Sequence, residues 1–261
     1  MPLHFNHKPA LVAYVTCGDP DLATTRDIIL AAIEAGAGII ELGVPFSDPV
    51  ADGPVIQRAS ERALRGGTTL HDVLKLAHEI RKESAAGLVI FSYLNPIMQF
   101  GRAKFGTVAE QCGIDGVLVT DLPVEEAEDH IHAMRRHDLA TIFLAAPTST
   151  DARLKRIAHA SRGFIYAVSR TGVTGARQKL TDDAAKLVRR LRKFTRLPIA
   201  VGFGISTPEQ FAAVGKFADA AVVGSAIVET VERNPGKEAN SVAQFIHRLS
   251  VVSRRSSAIS E

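Results

Sequence analysis

Residues 199–228 read IAVGFGISTPEQFAAVGKFADAAVVGSAIV. Ile199–Gly202 is a short apolar run that ends on glycine, and Ala220–Val223 is a second one ending on Gly224. Between them Thr207-Pro208-Glu209-Gln210 sets a cap, a first-turn proline and a capping-box glutamine in register, so a helix begins there. An apolar strand, a capped helix and another apolar strand make one parallel crossover unit. Apolar residues on both faces of the strands mean that both faces are covered.

The same unit recurs toward the amino terminus. Strands are expected at Leu11–Val15, Gly38–Leu42, Leu88–Tyr93, Gly116–Thr120, Thr141–Ala145 and Phe164–Val168, giving eight with the two above. Helical periodicity fills the intervals. Ile29, Ala32 and Ile33 form an inward stripe, Asp19-Pro20 suits a helix start, and Val124–His137, Asp151–Ala160 and Glu238–Val252 read as further helices. Open doubly wound sheets usually stop at five or six strands, so eight units without a linker favour closure. The expected fold is α/β, a single (β/α)8 TIM barrel over residues 1–252, with a disordered tail over 253–261.

Bulk properties agree with one such domain. The chain has 261 residues, 46% of them apolar and 23% charged, within the range of a globular protein with a sizeable core. A net charge of +3 is spread among acids, and the basic run Lys186–Arg196 has an apolar helical face, which argues against nucleic acid. Met1–Pro9 has no apolar stretch of signal length, and no later run reaches about 18 residues. A cytoplasmic location without membrane contact is therefore expected. Cys17 and Cys112 lack ligand spacing, and none of the nine histidines is four residues from another, so no metal site is expected.

In barrels of this kind the chemistry sits just after each strand. Three junctions are rich in glycine: Gly172-Val173-Thr174-Gly175, Gly202-Phe203-Gly204-Ile205-Ser206, and Gly224-Ser225 before a short helix, Ala226–Val231. Backbone amides and a helix amino terminus at these places suit a phosphate group. Position 207 is Thr where a dinucleotide fingerprint would need glycine, so no nicotinamide or flavin is implied.

The second junction, Glu41-Leu42-Gly43-Val44-Pro45-Phe46-Ser47-Asp48-Pro49-Val50-Ala51-Asp52-Gly53-Pro54, brings a carboxylate into an otherwise apolar strand. Either a buried Arg or Lys pairs with Glu41, or burial raises its pKa into the range of a proton shuttle. Asp52 either divides acid and base work with Glu41 or caps the helix that Pro54 introduces. Asp121 directly follows the fourth strand and Tyr166 lies inside the sixth, where each serves the mouth of the barrel or a cap, a packing contact or a purely structural bond.

Glu41–Pro54 (ELGVPFSDPVADGP), Thr120–Glu126 (TDLPVEE), Ser169–Gly175 (SRTGVTG), Gly202–Ser206 (GFGIS) and Gly224–Val228 (GSAIV) together resemble the tryptophan synthase alpha chain family, in its order and spacing, from about Ala10 to Val252. The resemblance implies a lyase that splits indole-3-glycerol phosphate into indole and glyceraldehyde 3-phosphate. It makes Glu41 the acid and base, and Asp52 the partner of the indole N–H. Tyr166 would position Glu41, Thr174 would clamp Asp52, and Gly175, Gly204, Gly224 and Ser225 would bind phosphate.

It further implies no cofactor on this chain, with pyridoxal phosphate on a tryptophan synthase beta chain joined in an alpha2-beta2 tetramer. Pro45, Asp48 and Pro49 are expected at that interface. Two features depart from the family. The first strand starts near Leu11, leaving little chain to cover the lower end of the barrel, and Tyr14 stands where the family often has Phe.

Overall fold

The computed structural model describes residues 3, 5, 8–168, 177–202 and 204–257. The chain opens with β1 (Ala10–Thr16), α1 (Leu22–Glu34) and β2 (Ala37–Gly43). Two helices follow, α2 (Pro54–Arg65) and α3 (Leu70–Glu83), before β3 (Gly87–Ser92). Another pair, α4 (Leu94–Phe100) and α5 (Arg102–Gln111), leads to β4 (Gly116–Val119) and α6 (Glu128–Arg135). Then come β5 (Ala140–Ile142), β6 (Leu144–Ala145), α7 (Asp151–Ala160), β7 (Ile165–Val168) and α8 (Arg177–Leu191). The last elements are β8 (Ile199–Gly202), α9 (Pro208–Gly215), β9 (Ala220–Val223), α10 (Ser225–Arg233) and α11 (Glu238–Ser257).

All pairings are parallel, in the order β5-β4-β3-β2-β1-β9-β8-β7-β6. The two ends of that order are consecutive in the chain. β5 pairs with β4 and β6 with β7, while the Phe143 carbonyl between them accepts from the Tyr166 amide at 3.1 Å. They are two halves of the expected strand Thr141–Ala145, so nine ladder segments close an eightfold barrel. A staggered barrel requires this, because tilted neighbours flank different stretches of one strand.

Alternate strand residues face opposite ways. Val12, Ile39, Val89, Leu118, Ile142, Phe164, Ala200 and Val222 fill the lumen, while Leu11, Val15, Ile40, Leu42, Leu88 and Ile90 meet the helices. Each such fully buried aliphatic side chain contributes roughly 1.5–3 kcal/mol. Leu3 and Phe5 close the lower end, with the Phe5 ring edge-on to Phe164 at 5.8 Å between centroids. Two apolar side chains thus cover the lower end of the lumen cluster.

The capping box at Thr207 forms as its spacing requires. At α1, however, Asp21 and not Asp19 is the cap, accepting from the Thr24 amide at 2.8 Å. Asp19 is turned inward to Arg62 by a partner that local sequence cannot reveal. The helix expected over Val124–His137 is confined to α6, since Leu122–Ala127 is spent in turns. α11 runs to Ser257, so the expected tail is helical over its first residues; no Gly or Pro follows Gly236 to stop it.

Candidate active site

Glu41 sits in β2 on the same face as Ile39, so its side chain enters the lumen. It is 0% exposed, and neither carboxyl oxygen has a hydrogen-bond partner among the described residues. Among the described residues no Arg or Lys pairs with it, which favours the desolvated carboxyl over the ion pair. Loss of water pushes its pKa from 4.5 up to about 8, so the carboxyl carries its proton at neutral pH.

The strand ladder fixes what lies beside it. Glu41 pairs with Tyr14 of β1, and Ala13 pairs with Val223 of β9, which puts Gly224 level with Glu41 two strands away. At the spacing of adjacent strands that is roughly 10 Å. Val201 pairs with Ala221, so Gly204 reaches the same height beyond β8. Its φ of +73° is one that a side chain strains against. Gly224 and Ser225 open α10, whose first turn has no acidic residue, so its leading amides suit an anion. The carboxyl and this cradle therefore share one mouth. Thr174 and Gly175 lie outside the described residues.

Asp52 is held by a residue that the sequence did not single out. The Tyr93 hydroxyl, just past β3, donates to Asp52 Oδ2 at 3.0 Å and accepts from the Ala51 amide at 2.9 Å. The Tyr93 ring also lies 5.0 Å from that of Phe46, so one side chain seats the loop at both ends. Its place at the end of the expected strand Leu88–Tyr93 was the available signal. Burial raises the Asp52 pKa to about 6, against the lowering effect of the Tyr93 bond. The cap of α2 is Gly53, without a side-chain bond, so Asp52 is not spent as a helix cap.

Tyr166 and Tyr14 border the same space. A Cβ on Gly202 would collide with the Tyr166 hydroxyl, and one on Gly43 with that of Tyr14. Both phenols are held well above their ordinary pKa, first by burial and then by nearby carboxylates, so both remain protonated donors. Tyr14 packs edge-on to Phe91 at 5.0 Å and its hydroxyl accepts from Thr16 Oγ1 at 3.4 Å, so the departure at this position is absorbed inside the barrel. Asp121 instead serves the start of α4, accepting from the Leu94 amide at 2.7 Å.

The loop after β2 offers the solvent a selective surface. Asp48 is exposed, Pro49 half-buried and Val50 86% exposed, while Pro45 is buried beneath them. Pro45, the third residue expected at a partner interface, packs where the loop leaves the barrel. Met98 on α4 is a second exposed apolar side chain, at 50%. Among the described residues no three His, Cys, Asp or Glu side chains gather as metal ligands, and no helix is long and apolar enough to cross a membrane.

Loops at the carboxyl ends of the strands carry the chemistry of this architecture, and the two titrating carboxyls stand there, so the class is that of a (β/α)8-barrel enzyme. A family profile for the tryptophan synthase alpha chain matches residues 3–256. The chain belongs to that family. The tryptophan synthase alpha chain of Solibacter usitatus is 53% identical to it over 228 residues, 87% of this chain and 85% of that one. A solved tryptophan synthase subunit alpha from Legionella pneumophila superposes with a TM-score of 0.88 at 34% identity, covering 96% of this chain and 94% of that one. A chain of the tryptophan synthase complex from Pyrococcus furiosus gives 0.85 at 36% identity, covering 94% and 98% respectively.

Proposed function

We propose that this chain cleaves indole-3-glycerol phosphate to indole and glyceraldehyde 3-phosphate, passing the indole to a beta chain. The observation that carries the chemistry is Glu41, a carboxyl sealed from water, without a hydrogen-bond partner among the described residues and still protonated at neutral pH. It delivers its proton to indole C3. Asp52, ionised above about pH 6, accepts the indole N–H and opposes the positive charge that grows on the ring. The Glu41 carboxylate then takes the proton from the side-chain hydroxyl next to the ring. As the C–O becomes C=O the carbon–carbon bond breaks, its electron pair returns to the ring, and Glu41 regains its starting form.

Tyr166 borders Glu41 and orients it, and Gly204, Gly224 and Ser225 bind the phosphate, a role that Gly175 shares in this reading. Thr174 closes over Asp52. The cleavage needs no cofactor, and pyridoxal phosphate belongs to the beta chain. Exposed Asp48 and Val50 after β2 and Met98 after β3 support docking of that partner at the mouth, in an alpha2-beta2 assembly.

Mixing the purified chain with indole-3-glycerol phosphate tests the reading: indole should appear slowly, and faster once a beta chain is added. No indole in either case would overturn the assignment, and a rate indifferent to the beta chain would remove the partner. Tyr93→Phe supplies a finer check. Without the phenol the Asp52 pKa should climb above about 6, moving the acidic limb of kcat/KM upward by about one pH unit. An unmoved limb would disconnect Tyr93 from the chemistry.

A further inference from the structure

An eightfold repeat requires neither α2 nor α10, yet these two helices lie against each other and against β1 at the mouth. Asp52 leads into α2 through Gly53 and Pro54, while Gly224 and Ser225 open α10. Whatever fixes α2 on α10 therefore fixes the separation between the carboxylate assigned to the indole and the amides assigned to the phosphate.

Two sets of contacts do so. In the first half of α2, Val55, Ile56 and Ala59 pack with Val228 of α10 around Tyr14. Such contact is non-directional and leaves sliding and rotation open. In the second half Arg62 supplies direction. Its Nε and Nη2 donate to the two oxygens of Asp19 at 2.7 and 2.9 Å, and its Nη1 donates to Glu232 of α10 at 2.8 Å. Arg58 grips the same Glu232 from Nε and Nη2 at 2.9 and 2.7 Å. Asp19 is only 3% exposed and follows β1, so it is anchored to the barrel frame. One planar guanidinium thus joins α2, α10 and the barrel at fixed angles, which a lysine's single charged point does not do.

We infer that Arg62 is a positioning residue that sets the span between the two ends of the substrate site, an inference that rests on the proposed binding of indole at Asp52 and phosphate at Ser225. Its role is coupling. Each end forms its own contacts without Arg62, but a ligand that bridges both ends gains from their fixed separation.

Arg62→Lys and Glu232→Gln in the full chain test this, with Arg65→Gln as control, because Arg65 lies on the same helix and among the described residues pairs only with the exposed Glu61, at 3.6 Å. Binding of indole-propanol phosphate is measured by calorimetry, and binding of indole and of inorganic phosphate separately by NMR titration. Both variants should weaken the bridging analogue about tenfold while each fragment stays within about twofold. The control should match the native chain throughout. Unchanged affinity for the analogue, or an equal loss on the fragments, would overturn the inference. Failure of the native chain to bind the analogue would instead bring down the functional reading beneath it. Should Arg62→Lys not fold, Glu232→Gln decides alone, since it removes the charge and one of the two acceptors that hold the same contact from α10.

Discussion

Glu41→Gln should stop indole release, lowering kcat by about 10²–10⁴-fold or more, because one group supplies both the proton that leaves and the base that recovers it. Glutamine keeps the shape and loses both functions. Binding of indole-propanol phosphate should change little, so the loss falls on kcat. Retention of the native rate would take Glu41 out of the mechanism.

The same substitution has a signature in stability. In the unfolded chain Glu41 ionises near 4.5, and in the folded chain near 8. Between those values the folded state holds the extra proton, so native stability falls as pH rises, by about 1.4 kcal/mol per pH unit where the slope is steepest. By pH 7 the burial costs on the order of 3 kcal/mol. Denaturant melts of the native chain and of Glu41→Gln at pH 5 and pH 7 should diverge accordingly. Parallel curves would mean that the carboxyl is solvated or paired.

Asp52→Asn should lower kcat by about 10²–10³-fold, the scale on which a fixed charge facing a developing opposite charge acts. Native kcat/KM should describe a bell, rising as Asp52 ionises near pH 6 and falling as Glu41 loses its proton near pH 8. The amide removes the first limb and leaves the second. A limb that persists near 6 in Asp52→Asn would assign that titration to another group, and full activity would deny Asp52 any part in the chemistry.

Local cues in the chain carried the barrel a long way. Continuous apolar strands, the Thr207 capping box and glycine at strand ends depend on neighbours a few residues away, and each appears as read. Glu41 was legible because a carboxylate in an apolar run has no cheap local explanation. Asp19 was misread for the converse reason: Asp-Pro is a good helix start by itself, and Arg62, which overrides it, lies 43 residues on.

The amino-acid order thus determined which strands form, that both their faces are covered, and that a carboxyl must lie among apolar side chains. Only the closed barrel decided what that carboxyl meets. Ring closure through the two halves of the fifth strand, the grip of Tyr93 on Asp52 and the join of α2 to α10 through Arg62 are contacts between distant segments. Periodicity fixes the face on which a side chain lies, whereas its pKa and its partner depend on how much water and which groups the rest of the fold brings to that face.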